Sequence, residues 1–188
     1  TTCKLGRDNL EKTKEYFYKI YPKSALIGDI IEIEIRLNFI KHLSEYYFDF
    51  EWSNSELVLK SKLIIGRHQN LNYHHFVTLA RYLDNIHSKN LFHGDIHNRN
   101  IIVENDIPYL VDWEPCMVQN INSKRIIKSH SRGIAKKDRE NKKISALTVK
   151  KGFLNLLSNL NSEKLIDTKE MENLSCFQLL NKCYQSSP

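Results

Sequence analysis

Residues 91–115 read LFHGDIHNRNIIVENDIPYLVDWEP, and this stretch is the starting point for predicting the fold. Two short apolar runs, NIIV and PYLVDW, flank the turn sequence ENDIP, and such a pair is typical of two strands joined by a turn. Polar side chains that can bind metal lie on both sides of it: His93, Asp95, Asn100 and Asp112. Carboxylate and carboxamide oxygens are the hard ligands that Mg²⁺ prefers. The pattern therefore indicates a divalent-metal site between two strand-like segments.

These residues follow the spacing H-x-D-x-x-x-x-N, then eleven residues, then D. The spacing resembles the catalytic loop, hairpin and metal-binding aspartate of the protein-kinase-like superfamily, and the resemblance covers residues 72–115. It implies that Asp95 orients the acceptor hydroxyl and takes its proton. It also implies that Asn100 and Asp112 hold Mg²⁺ on the phosphates of ATP. His93 is expected to support the loop rather than to act in catalysis.

The resemblance further implies a lysine that binds the nucleotide phosphates and a glutamate that holds this lysine. Lys19 in the strand-like run YFYKIY fits the lysine, and Glu34 in the run IEIEIRLNFI fits the glutamate. Glu32 is the alternative to Glu34. A separation of fifteen residues suits an ion pair between a strand and the following helix. The implied cofactors are ATP and Mg²⁺.

Hydrophobic periodicity predicts the other elements. Residues 14–21 and 55–65 are expected to be strands, and residues 29–43 a helix with Asp29 as its cap. Residues 72–88 show the stripe of an amphipathic helix that Asn72 caps. Residues 145–160 predict another buried helix, and 163–185 one or two short ones. The resulting fold class is α+β: a bilobed protein-kinase-like fold with a reduced N-terminal β lobe (1–66) and a mostly helical C-terminal lobe (67–188), together one domain of 188 residues.

Several features depart from the protein-kinase pattern. A glycine-rich G-x-G-x-x-G loop is missing, and only Gly6 lies in a suitable place before Lys19. Gly94 stands where protein kinases commonly have arginine, and Glu114 where the D-F-G motif has glycine. Val149 occupies the place of the aspartate that usually anchors the catalytic loop. These departures leave phosphate binding and loop support to other groups.

The main expectation is an ATP-dependent kinase that transfers the γ-phosphoryl group to a Ser/Thr hydroxyl of a protein. His97 and the DWE motif resemble aminoglycoside and choline phosphotransferases, so a small-molecule acceptor is one alternative. The missing glycine loop favours another, a pseudokinase binding module, although Asp95, Asn100 and Asp112 are all retained. Alternation of His93, Asp95 and His97 on a strand could instead bind a transition metal in a hydrolase. That hypothesis leaves the hairpin unexplained.

The net charge of +6 is concentrated in residues 124–151, where eleven basic side chains stand against Asp138 and Glu140, a local charge of +9. Such a segment attracts acidic partners, so a protein substrate with an acidic surface is expected. Aromatic residues do not interleave with the basic ones, and nucleic acid is not expected as the primary partner.

Composition sets the remaining expectations. No apolar run approaches the roughly 18 residues of a membrane-spanning helix, so no membrane span is expected. The four cysteines form no C-x-x-C pair, so zinc and redox motifs of that type are not supported, and a reducing, cytoplasmic compartment is expected. The reduced front half and the lysine-, asparagine- and isoleucine-rich composition suit, by analogy alone, a bacterial effector or toxin delivered into a host cytosol.

Overall fold

An antiparallel sheet with one helix forms the first part of the chain, and the second part is mostly helical. The computed structural model describes residues 3–5, 10–12, 15–26, 29–43, 48–113, 117–118, 145–158 and 166–184. Short 3₁₀ helices lie at Lys23–Ala25 and Asn98–Asn100. The strands and helices, in chain order, are β1 (Cys3–Leu5), β2 (Leu10–Lys12), β3 (Tyr16–Pro22), α1 (Ile30–Leu43), β4 (Phe48–Trp52), β5 (Glu56–Lys62), α2 (Tyr73–Ser88), β6 (Leu91–Phe92), β7 (Ile101–Glu104), β8 (Ile107–Leu110), β9 (Met117–Val118), α3 (Ala146–Ser158), α4 (Thr168–Asn173) and α5 (Cys176–Tyr184).

The large sheet has five strands in the order β1-β2-β3-β5-β4, and every pair is antiparallel. Strand β3 is the middle strand, and its register places Lys19 opposite Leu10 of β2 and Leu59 of β5. The strands predicted at 14–21 and 55–65 are confirmed as β3 and β5. Because β3 is paired on both sides, the backbone that carries Lys19 is held at the centre of the sheet.

Helix α1 confirms the choice of a helix over a strand for residues 29–43. Asp29 caps it, since its Oδ1 accepts the backbone N–H of Ile31 at 2.6 Å. Ile33, Leu37 and Ile40 recur at helical spacing and are buried. Their burial settles the ambiguity of the run IIEIEI, because only a helix brings these three side chains to one face.

Helix α2 forms the base of the second part. Asn72 accepts the backbone N–H of His75, and the His75 ring accepts the backbone N–H of Asn72, so the two form a capping box. Asn90, two residues past the helix, adopts φ 61° and donates its N–H to the His87 carbonyl. The predicted apolar stripe is buried at every position: Phe76, Leu79, Ala80, Leu83 and Ile86.

Strands β7 and β8 form the predicted hairpin, with Ile101 opposite Leu110 and Glu104 opposite Ile107. Asn105 and Asp106 are its two turn residues, with φ of 51° and 62°. Two consecutive positive φ values define the type I′ turn whose twist matches that of the strands. Asp106 also accepts a hydrogen bond from Nε2 of the buried His75 at 2.8 Å, so the turn is fixed to the start of α2.

The segment between β5 and α2 is held against the hairpin. Arg67 and Val103 exchange two backbone hydrogen bonds of 3.0 and 2.9 Å. Gly66 lies so close to this bridge that a Cβ there would be 2.2 Å from the Val103 carbonyl oxygen. The close approach explains why glycine stands at the end of the predicted strand.

Three helices complete the described fold, in agreement with the predictions for 145–160 and 163–185. Phe153 and Leu157 of α3 and Leu179 of α5 are fully buried in the core that α2 shares. Lys150 is 8% exposed and its Nζ donates to the Met171 and Glu172 carbonyls at 3.0 and 3.1 Å. Among the residues that the structure describes, no helix has the length and apolar character to span a bilayer.

Candidate active site

His93 is fully buried and connects the loop after β6 to the end of the hairpin. Its Nδ1 accepts the backbone N–H of Asp95 at 3.2 Å, and its Nε2 lies 2.9 Å from the Val111 carbonyl oxygen. An N–H must donate and a carbonyl must accept, so the ring is neutral with its proton on Nε2. Its edge packs against Trp113, with ring centroids 5.0 Å apart. This geometry fits the supporting role that we expected.

The same geometry counts against the transition-metal alternative for His93, Asp95 and His97. Both ring nitrogens of His93 already have backbone partners, so neither offers a free lone pair to a metal ion. The residues also lie in a loop that leads into a 3₁₀ turn rather than on a strand, so the face expected from alternation does not form.

Asp95 is 4% exposed, and its two carboxylate oxygens have different surroundings. Oδ2 lies 3.3 Å from Nδ2 of Asn100 and 3.4 Å from Nε2 of His97. The ring of His97 accepts the Arg99 N–H through Nδ1, so its proton is on the nitrogen that faces Asp95. Oδ1 is buried and has no hydrogen-bond partner within the described residues. A buried carboxylate oxygen without a donor is costly unless a ligand supplies one.

Asn100 is 6% exposed and ends the 3₁₀ turn that follows this loop. Its Nδ2 donates to the Asp95 backbone carbonyl at 2.9 Å as well as to the Asp95 carboxylate. The backbone carbonyl of Asn100 accepts the Val111 N–H at 2.9 Å. The side-chain amide is thus oriented with both donations directed to Asp95.

Asp112 is the second residue after β8. It has φ 67°, in the left-handed region that L residues other than asparagine and aspartate rarely adopt. Its Oδ1 forms an ion pair with Nζ of Lys19. Both side chains are partly exposed, at 31% for Asp112 and 21% for Lys19. The pair joins the middle strand of the sheet to the hairpin across 93 positions of sequence.

The structure does not bring Glu34 to Lys19. Lys19 pairs with Asp112, and within the described chain neither Glu34 nor Glu32 forms an ion pair with Lys19. Glu34 is exposed because Ile33 and Leu37 turn their face of α1 inward and Glu34 follows about 100° round the helix from Ile33. The predicted Lys19–Glu34 ion pair is therefore corrected to Lys19–Asp112.

Helix α3 supports the loop in a way that the sequence did not reveal. Val149, which the resemblance placed where an anchoring aspartate is usual, is 1% exposed and lies in the apolar core. One turn further on, Gly152 faces Ile96: a Cβ at Gly152 would lie 3.0 Å from the Ile96 Cβ and 3.1 Å from its carbonyl oxygen. The glycine thus lets α3 lie close to the loop that carries Asp95.

Other predicted features lie outside the described residues. They are the position of Gly6, the final residue of the DWE motif, Glu114, and most of the basic segment 124–151, of which only 145–151 is described.

The antiparallel sheet, the following helices and the loop-hairpin unit that carries Asp95, Asn100 and Asp112 together define an α+β, protein-kinase-like fold. Solved structures similar to it include the following three. Monomeric WbdD has a TM-score of 0.58 at 13% identity, over 95% of this chain and 44% of that chain. The Cydia pomonella granulovirus kinase PK-1 has a TM-score of 0.58 at 13% identity, over 93% and 80%. The bifunctional kinase-methyltransferase WbdD has a TM-score of 0.57 at 13% identity, over 95% and 43%.

The sequence comparisons are negative. No protein-family model matches the chain, and no curated protein matches it in sequence. The chain spans less than half the length of the two WbdD chains and four fifths of PK-1. At 13% identity the similarity establishes the fold, and the activity has to be argued from the site.

Proposed function

We propose that this chain is an ATP- and Mg²⁺-dependent phosphotransferase that phosphorylates a Ser/Thr hydroxyl of a protein. One observation carries the proposal. Lys19 from the sheet meets Asp112 at the end of the hairpin, next to Val111, which is hydrogen-bonded to the loop that contains Asp95 and Asn100. Phosphoryl transfer requires a positively charged side chain to bind the phosphates, hard oxygen ligands for the metal and a carboxylate to orient the acceptor hydroxyl.

The residues present fit Mg²⁺ and a nucleotide. Asp112 and the Asn100 carboxamide oxygen are the hard ligands that would hold the metal, which neutralises charge on the phosphates when bound. The Asp112 carboxylate already forms an ion pair with the Lys19 ammonium, so it can stabilise a neighbouring positive charge. Lys19 would then bind the phosphates through the same ammonium group.

Asp95 is suited to position the acceptor hydroxyl. Its Oδ2 is occupied by Asn100 and His97, while Oδ1 is buried and lacks a donor among the described residues. An acceptor hydroxyl that donated to Oδ1 would satisfy this atom and would be fixed in orientation. The carboxylate can take the proton as the new bond to phosphorus forms.

A protein acceptor is supported by the basic segment 124–151, whose local charge of +9 would attract an acidic surface. A small-molecule acceptor is the second candidate, and the 3.4 Å contact of His97 with Asp95 favours it because His97 carries that resemblance. A pseudokinase that binds nucleotide without transfer is the third.

The test is transfer from labelled ATP with Mg²⁺, alone, with casein as a generic protein, and with aminoglycoside or choline acceptors. Label on protein supports the main proposal. Consumption of ATP that requires a small alcohol supports the second candidate, and nucleotide binding without turnover supports the third.

Two variants and one control test the roles of the residues. Asp95→Asn should lower transfer by about 10²- to 10⁴-fold, the usual contribution of a general base, with nucleotide binding retained. Asp112→Asn should weaken Mg²⁺-dependent nucleotide binding. Glu34→Gln is the control, because Glu34 is exposed and does not reach Lys19. Loss of transfer in Glu34→Gln would show that Glu34 takes part after all, as the sequence predicted.

A further inference from the structure

Three side chains of types that can bind metal lie together where the last turn of α2 meets the first turn of α5. Asp84 and His87 lie three positions apart on α2 and so share one face of the helix. Cys176 is the first residue of α5. One ligand atom from each of the three lies within 4.8 Å of the others. None of the three belongs to the candidate active site.

The histidine is the component that ordinary packing does not explain. Nε2 of His87 is buried and has no hydrogen-bond partner in the described part of the chain. Burial lowers the pKa of His87 to about 4; nearby Asp84 opposes this effect and Lys150 adds to it. The ring is therefore neutral at ordinary pH, with one nitrogen lone pair to offer.

Asp84 caps a helix, and this structural role does not use all the lone pairs of its carboxylate. Its Oδ1 accepts the Cys176 backbone N–H at 2.7 Å and its Oδ2 accepts the Phe177 N–H at 3.0 Å. Asp84 thus caps α5 from another helix. Each carboxylate oxygen has a further lone pair, so the cap does not prevent coordination of a cation.

The cysteine is buried, with 0% exposure. Burial, more than the neighbouring Asp84, raises the pKa of its thiol. A raised pKa is the opposite of what a nucleophilic cysteine needs, so a Cys-His-Asp hydrolytic arrangement is disfavoured. A bound metal, by contrast, deprotonates a coordinating thiol directly.

We propose that Asp84, His87 and Cys176 form a site for a divalent transition-metal ion of the Zn²⁺ type. Thiolate, imidazole and carboxylate are the donors that Zn²⁺ accepts, and three protein ligands leave a fourth position for water. Tetrahedral bonds of about 2.0–2.3 Å place neighbouring ligand atoms about 3.6 Å apart. Ligand atoms that lie within 4.8 Å of one another therefore need to close by up to about 1.2 Å to bind the ion.

Two charges favour a cation at the site and one nearby charge, that of Lys150, opposes it. The thiolate and the carboxylate offset the two charges of the ion. Lys150 acts on both His87 and Cys176, and its ammonium is directed to the Met171 and Glu172 carbonyls. The consequence of binding is a metal-mediated link between α2 and α5. This inference does not depend on the proposed phosphotransferase activity.

The experiment titrates the full chain, freed of metal by chelation, with Co²⁺ and separately with Zn²⁺. The expected results are a thiolate-to-cobalt charge-transfer band and a Tm that rises with Zn²⁺, since a ligand that binds only the folded state stabilises it. Cys183→Ser is the matched control, because Cys183 is the other buried cysteine of the same helix and should keep both signals. Asp112→Asn should keep both signals too.

Cys176→Ser should lose the band, and its metal affinity should fall more than the roughly 100-fold that loss of an outer-shell partner can cost. His87→Gln should bind at least about tenfold more weakly by the same comparison, and it decides the matter if Cys176→Ser does not fold. The proposal is overturned if the parent protein shows no band, if the band survives in Cys176→Ser, or if His87→Gln binds as the parent does.

Discussion

Replacing Gly152 by alanine should damage the candidate active site more than the stability of the fold. Gly152 lies inside α3, and the added Cβ would lie 3.0 Å from the Ile96 Cβ and 3.1 Å from the Ile96 carbonyl oxygen. Ordinary contacts between carbon atoms begin near 3.5 Å. The helix and the loop must therefore separate by about 0.5 Å, and Ile96 is the residue next to Asp95.

The stability change is a difference between two opposing terms. Alanine gains about 1 kcal/mol over glycine within a helix, while overpacking a close contact costs about 1–3 kcal/mol. The net loss of about 0–2 kcal/mol corresponds to a Tm decrease of at most about 8 °C for a chain of this size. A misplacement of 1 Å can lower catalysis by about 100-fold, so a displacement of about 0.5 Å should lower transfer by about tenfold.

The assay compares phosphoryl transfer and thermal unfolding of the parent and of Gly152→Ala. Asn155→Ala is the matched control, because Asn155 is exposed on the same helix and also gains helix propensity. It should leave transfer unchanged. A Gly152→Ala variant with full transfer would refute the claim that this contact positions Asp95. A Tm decrease far beyond 8 °C would show that the helix could not adjust.

Three further substitutions test contacts that hold the fold. Gly66→Ala places a Cβ 2.2 Å from the Val103 carbonyl oxygen and should destabilise the protein by about 1–3 kcal/mol; a denaturant midpoint equal to that of the parent would contradict this. His75→Ala removes the capping box and the bond to Asp106 and should cost about 1–2 kcal/mol, measured by thermal unfolding, with the exposed Asp106→Ala costing less. Lys150→Met keeps the buried stem and leaves two carbonyls at the end of α4 without their charged donor; the expected loss in urea unfolding is about 2–3 kcal/mol, and a loss below 0.5 kcal/mol would speak against a structural role.

The sequence predicted best where periodicity and local turn chemistry decide the structure. The stripe and the Asn72 cap of α2 follow from residues within one helix, and the hairpin follows from the short turn around Asn105 and Asp106. In each case the interacting groups lie within a few positions of each other. Local propensity and tertiary packing then favour the same structure.

The ion-pair partner of Lys19 could not be predicted from local sequence patterns in the same way. Helix α1 has apolar residues on several faces, including the exposed Ile31 and Ile35, so its pattern does not tell which face is buried. The prediction of Glu34 rested on the family pattern, and the packing of Ile33 and Leu37 turned Glu34 outward. The contact of Gly152 with Ile96 and the approach of Cys176 to α2 depend on residues far apart in sequence, which no local pattern records.

The described contacts divide the candidate site into one hydrogen-bonded unit and one group that comes from the sheet. The ring of His93 joins the Asp95 N–H to the Val111 carbonyl, and Asn100 accepts the Val111 N–H. Asp95 and Asn100 are therefore joined by a short network of hydrogen bonds to Val111, the residue before Asp112. Lys19 reaches this unit from the sheet through its ion pair with Asp112. A change that weakens the packing of the sheet against this unit should therefore reduce nucleotide binding through Lys19. It should leave the relative positions of Asp95 and Asn100 unchanged, because the hydrogen bonds that join these two residues lie within residues 93–112.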